Sequence, residues 1–239
     1  MRVEAALSSA LLPPRTIRHL SVMLAAGALA ILWLGWFTDI DLMLGDAVFD
    51  VPSRAFPWRD TWLTVTLNHV ILKWLLILLA VCVVGYAGID ACRPYAGLSD
   101  ISRLQLRIVA LSAILVPVVT STLKQISSSH CPWDLQRYGG AHPYVRLFGA
   151  FSAHTAPGQC LPAGHASSAL WLLAFAVWWL PARPRDARRA ALLAIAFGGM
   201  VGYLQQMRGA HFMTHTLWSI WIACVIVLAL IVMLQNAEP

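Results

Sequence analysis

Apolar runs of about twenty residues recur along the whole chain, and that recurrence decides what it can fold into. A helix needs about 20 mostly apolar residues to cross the hydrocarbon core of a bilayer. Candidate spans fall near 19–38, 69–89, 106–123, 166–181, 189–206 and 212–234. Only 12% of the 239 residues are charged and 59% are hydrophobic, against roughly a quarter charged in soluble domains, which leaves no room for a separate soluble unit. We expect an all-α polytopic membrane protein of about six transmembrane helices, built as a single domain over 1–239. The first run is too long, and the residues after it too bulky, for a removable signal peptide, so it counts as a helix.

Charge placement sets the orientation, because cytoplasmic loops retain Lys and Arg. The net charge of +6 is carried mainly by Arg in short segments between apolar runs, a topology signal and not a nucleic-acid-binding stripe. With the N-terminus inside, the inner segments hold Arg2, Arg15, Arg18, Arg93, Arg103, Arg107, Arg183, Arg185, Arg188 and Arg189. The outer segments hold Arg54, Arg59, Lys124, Arg137, Arg146 and Arg208, nearly balanced by Asp39, Asp41, Asp46, Asp50, Asp60 and Asp134. Both termini are then cytoplasmic. Lys124 and Arg208 stay on the outer face against the general bias, which marks them. The stretch from Asp39 to Asn68, with Pro52 and Pro57, reads as an irregular outer loop, and Trp58 and Trp62 as an interfacial aromatic belt.

Six spans bring three distant segments to the outer face: Lys124 through Gln159, the run Cys160 to His165, and the run Arg208 to His215. They hold six of the eight histidines. Ionisable groups at membrane depth are costly and usually mark a site. His130, His142 and His154 read as solvated loop residues, and Asp134 as an exposed carboxylate. His165 is different. Its lead-in Pro162-Ala163-Gly164 puts it in the first turn of a helix, where unpaired N–H groups attract anions. His211 follows Gly209-Ala210 and opens a second helix, with His215 one turn further on the same face.

At these segments the chain resembles the type 2 phosphatidic acid phosphatase family. That family carries a Lys, six residues and Arg-Pro, then Pro-Ser-Gly-His, then Ser-Arg, five residues, His, three residues and Asp. Here Lys124 is followed by six residues and Cys131-Pro132, then Pro162-Ala163-Gly164-His165, then His211 and His215. The family's first Arg is Cys131, its Ser is Ala163, its second Arg falls on Gln205 and its Asp on His215. The strings at 131–135, 162–167 and 208–212 are typical of a bacterial subgroup, which argues for a systematic variant.

The resemblance implies a metal-independent, cofactor-free membrane lipid phosphatase whose active-site segments are 124–165 and 205–215. It implies that His211 attacks phosphorus to give a phosphohistidine, while His165 protonates the leaving alkoxide and later activates water. Lys124, Arg208 and the Gly164 amide would hold phosphoryl oxygens, with Arg208 standing in for the guanidinium missing at Gln205 and Arg137 or Arg146 contributing from the loop. The partners implied are the membrane and a lipid phosphate, lipid A or undecaprenyl diphosphate first, at the periplasmic face of a bacterial inner membrane. No obligate protein partner follows. Cys82, Cys92 and Cys224 lie in spans or inner loops and should stay reduced. Cys131 and Cys160 face out and are placed either to form a disulfide worth about 3–4 kcal/mol on the chain-entropy model or to remain two free thiols. Other readings stay open. One is transfer of the phosphoryl group to a second lipid. Another is a headgroup binder or transporter without catalysis. A third is a metal site on His211 and His215, although no Glu follows His211 as metalloprotease helices require. His215 can accept a hydrogen bond from the nucleophile ring only when neutral, so activity is expected to fall at acid pH as it protonates; a flat profile down to about pH 5 would contradict that role.

Overall fold

The computed structural model describes residues 10–147, 149 and 156–236. Arg2 and His154 lie outside them. Helix α1 spans Pro14–Phe37 and the short α2 spans Ile40–Val48. A π-helical stretch, Leu63–Leu72, runs directly into α3, Lys73–Cys92. Helix α4 covers Asp100–Gln125, α5 covers Gly164–Leu170 and continues as 3₁₀-helix over Trp171–Trp179, α6 covers Pro184–Met207 and α7 covers Met213–Gln235. Among the described residues there is no strand, only two isolated bridges.

Among the described residues, five helices are long and apolar enough to cross a membrane: α1, the continuous Leu63–Cys92 element, α4, α6 and α7. The sixth expected span, 166–181, is built differently. It consists of seven α-helical residues followed by nine in 3₁₀ form. A 3₁₀-helix rises about 2.0 Å per residue against about 1.5 Å in an α-helix. The two pieces therefore reach about 28 Å, close to the roughly 30 Å hydrocarbon thickness. The outer loop also departs from expectation, because residues 40–48 form α2 before Pro52 and Pro57 interrupt the chain.

The α5 segment is the central post of the bundle. Ala163, Ala166, Ala169, Leu170 and Ala174 are fully buried in it, and small residues let neighbouring backbones approach closely where lipid supplies no hydrophobic drive between helices. Gly198 of α6 leaves room for the Leu170 side chain, and Gly202 for Thr216 of α7. The 3₁₀ ladder leaves carbonyls to be satisfied, and the buried Gln105 of α4 donates to Val177 O at 3.1 Å and Leu180 O at 2.9 Å. At the same end, Leu12 N donates to Gln235 Oε1 at 3.1 Å, pinning the start of α1 to the end of α7. Arg103 of α4 closes onto Asp90 at the end of α3, 3.1 Å away. The opposite end gathers the last turns of α4 and α6 with the first turns of α5 and α7, and there the histidines lie.

Candidate active site

The turn between α6 and α7 carries Arg208 to Phe212. Gly209 has φ +73°, and a side chain there would run into the Phe56 ring, so this tight turn requires glycine. Helix α7 begins at Met213. His211 therefore lies in the turn ahead of the helix and does not open it, a correction of the sequence reading, while His215 sits in the first helical turn. Their rings nevertheless face each other edge-on, with centroids 5.7 Å apart.

The α7 N-terminus is capped from α2. Asp41, buried at 5% exposure, accepts from Thr214 N at 3.0 Å and from the Thr214 hydroxyl. Burial raises the Asp41 pKa, and the Thr214 bonds oppose that rise. An acid at a helix N-terminus meets unpaired N–H groups and the positive dipole end. Sequence reading treated Asp41 as an ordinary outer-loop charge and missed this.

Backbone bonds tie the histidine segments together. Ala163 N donates to the His215 carbonyl at 3.1 Å, and Ser219 Oγ donates to the Ala163 carbonyl at 3.0 Å. The loop after α4 joins the same assembly. Cys160 N donates to Ser129 O at 2.9 Å, and Trp133 N donates to Gly209 O at 3.0 Å. Cys131 and Cys160 form a disulfide with a Cα–Cα distance of 5.3 Å. Cys160 Sγ lies 3.1 Å from the Ala210 carbonyl oxygen and 3.5 Å from His211 Nδ1. A disulfide sulfur has no hydrogen, so these are packing contacts and not hydrogen bonds. For the same reason the grouping of Cys131, Cys160 and His211 offers no thiolate to a metal in this state.

Around this frame lie the other sequence-predicted groups. His165 is the second residue of α5, whose first turn has no side-chain cap. The Lys124 side chain passes by Gly164, with Cδ 3.8 Å from where a Cβ would stand. The charges of Lys124 and Arg208 both reach His165. His211 lies in the field of Lys124, His165 and His215, and burial is the largest of the causes that hold its imidazole well below the usual value. A fully buried His211 is thus kept neutral, the form in which a ring nitrogen has a lone pair to attack with. Ser129 Oγ lies 3.3 Å from His215 Nε2.

Arg208 is held by Gln205, which is fully buried and whose Oε1 accepts from Arg208 Nη1 at 3.0 Å. Arg208 Nε also donates to the Arg59 carbonyl at 2.9 Å. The two loop arginines are committed elsewhere. Arg137 forks onto Asp46, with Nε at 2.7 Å from Oδ1, and Arg146 pairs with Asp39 while donating to Thr38 O at 2.8 Å. Neither joins the cluster. His130 is also not a solvated loop residue. It is buried at 8% exposure and stacks on His142 with ring centroids 3.9 Å apart. Burial, with His142 second, lowers its pKa.

Sequence reading also missed His69, whose ring centroid lies 4.3 Å from that of His165. The available signal was a histidine beside an Asn inside an apolar span, a placement that membranes penalise.

The described residues thus place imidazoles, a lysine and an arginine at one end of a helical bundle. The chain belongs to the PAP2 superfamily, whose family model matches residues 105–239, from α4 to the end of α7. Its members are phosphatases, which makes this chain in general terms a phosphatase of lipid phosphate in a multi-pass membrane protein. No curated protein and no solved structure matches it. Helices α1 to α3, with Asp41 and His69, precede the matched region.

The disulfide is checked by intact mass after alkylation of the unfolded protein. Two more cysteines should be labelled with prior reduction than without it, and equal labelling would show two free outer thiols.

Proposed function

We propose that the protein removes phosphate from a lipid phosphomonoester or diphosphate at the outer face of the membrane through a phosphohistidine on His211. The single observation that carries this reading is the convergence of three segments far apart in the chain: Ala163 N donates to the His215 carbonyl at 3.1 Å, the His211 and His215 ring centroids lie 5.7 Å apart, and the Lys124 side chain passes beside Gly164, next to His165. Phosphoryl transfer needs an in-line nucleophile, an acid for the leaving oxygen and positive charge around the equatorial oxygens.

The phosphate anion offsets the charges of Lys124 and Arg208 and lets His165 enter the step protonated. His211 then attacks phosphorus, and the bond to the lipid oxygen breaks as His165 gives that oxygen its proton. His165 then takes a proton from water, whose oxygen displaces phosphate from His211. Lys124, Arg208 and the Gly164 amide stabilise the charge on the phosphoryl oxygens. His215, in the place of the family's Asp, positions His211 only by packing edge-on against its ring. The hydrogen bond expected between the two rings is not made, since His215 Nε2 faces the Ser129 hydroxyl and its Nδ1 has no hydrogen-bond partner. Supporting a lipid as substrate is a lateral apolar cleft of about 480 Å³ between α3, α4 and α5, lined by Leu76, Val84, Ile114, Pro117, Ser168 and Trp171. Ser168 of this cleft donates to the His165 carbonyl at 2.7 Å, which supports a lipid tail lying on the same turn of α5.

The test is phosphate release by the purified protein from lipid A, undecaprenyl diphosphate and phosphatidylglycerol phosphate. We expect release from at least one, lost by about 10³-fold or more in His165→Ala and His211→Ala and by about 10²-fold in Arg208→Ala. Disappearance of substrate phosphate without free phosphate would instead identify transfer to a second lipid. Tight headgroup binding with no turnover would identify a binder, and loss of activity to chelators would favour a metal mechanism.

A further inference from the structure

Four independent features single out His69. Its ring lies against the ring of His165, centroids 4.3 Å apart and planes tilted by 35°. Its Nδ1 is buried and has no hydrogen-bond partner, although a buried imidazole nitrogen without one is costly. The charges of Arg208 and Lys73 reach it. It lies in the π-helical stretch Leu63–Leu72, and π-helical turns are rare and occur frequently at functional sites.

The stretch is anchored at two positions ahead of the ring. Thr64, fully buried, donates to the Trp58 carbonyl at 2.6 Å, and Asn68 Nδ2 donates to the Val201 carbonyl of α6 at 3.4 Å. The first bond ties the stretch to the turn before it and the second ties it to α6, with the imidazole packed on the His165 ring. A histidine that only filled space between helices has no need of a buried ring nitrogen left without a partner.

The cluster is also short of donors. The two positions at which the family pattern carries arginine are Cys131 and Gln205. The first is in a disulfide and the second accepts from Arg208. We propose that His69 is a phosphate-binding residue, supplied by a helix outside the matched family region, whose Nδ1–H donates to an equatorial oxygen of the phosphoryl group handled by His165 and His211. This inference rests on the function proposed above. It requires neutral His69 with its proton on Nδ1, a tautomer open to any imidazole. No bond is made or broken at His69; its contribution is one directed donor beside Lys124 and Arg208.

Three variants in the full-length purified protein separate this from packing. His69→Phe keeps a ring against His165 and removes the nitrogen, His69→Asn keeps a donor near Nδ1, and His69→Leu replaces the Phe variant should that one fail to fold. The probe is orthovanadate, a mimic of the five-coordinate phosphoryl group, with binding measured by calorimetry and phosphate release followed on the lipid panel. We expect His69→Phe to bind vanadate at least about tenfold more weakly and to lose about 10²-fold in turnover, with an unchanged thermal midpoint. His69→Asn should recover both to within about fivefold. Wild-type vanadate affinity and turnover in the Phe or Leu variant would overturn the proposal. That outcome, combined with inactive His165→Ala and His211→Ala, removes His69 alone. Full activity in His165→Ala and His211→Ala removes the functional reading beneath it as well.

Discussion

The arrangement depends on a short set of hydrogen bonds to backbone carbonyls at one end of the bundle. Ala163 N donates to the His215 carbonyl, and Ser219 reaches the Ala163 carbonyl from one turn further along α7. They fasten the residue two before His165 to the helix that follows His211. Each buried bond contributes only about 1 kcal/mol net, but leaving these groups unpaired at membrane depth would cost more than that. The loop after α4 is fastened to the same frame by Cys160 N to Ser129 O, Trp133 N to Gly209 O and the Cys131–Cys160 disulfide. Three segments separated by tens of residues become one rigid cap.

Departures from the family pattern find physical accounts within this cap. Cys131 replaces a guanidinium by a covalent closure of the loop. Ala163 has lost a hydroxyl, and its backbone carries the contacts to α7. Gln205, in place of an arginine, holds Arg208 by its side-chain oxygen. His215, in place of an acid, packs edge-on against His211 and is contacted by Ser129. The helix end that carries His215 is capped by Asp41 through Thr214.

Much of this was legible in the chain. Length and apolarity give the helical membrane class, and the positions of Pro162, Gly164 and His165 give a histidine at a helix start. Other parts were not legible. The span around 171–179 is apolar but too short for an α-helix, and only the longer rise of its 3₁₀ form lets it act as the central post. Asp41 and His130 look like exposed loop residues because burial there depends on tertiary contacts, not on local pattern. Arg137 and Arg146 looked like phosphate ligands because sequence does not reveal that Asp46 and Asp39 lie within reach. His69 was hidden by treating spans as uniform. A polar pair such as Asn68-His69 within an apolar run is the available signal, but its partner helix can be known only from the fold.

The most direct measurement is the position of the phosphoryl group during turnover. Wild-type protein quenched while hydrolysing an active lipid, digested at neutral to alkaline pH and mapped by mass spectrometry, should carry an acid-labile phosphate on His211 and on no other residue. A phosphate on a different side chain, or its complete absence under conditions in which lipid phosphate is released, would contradict the account of two imidazoles acting on one phosphorus atom.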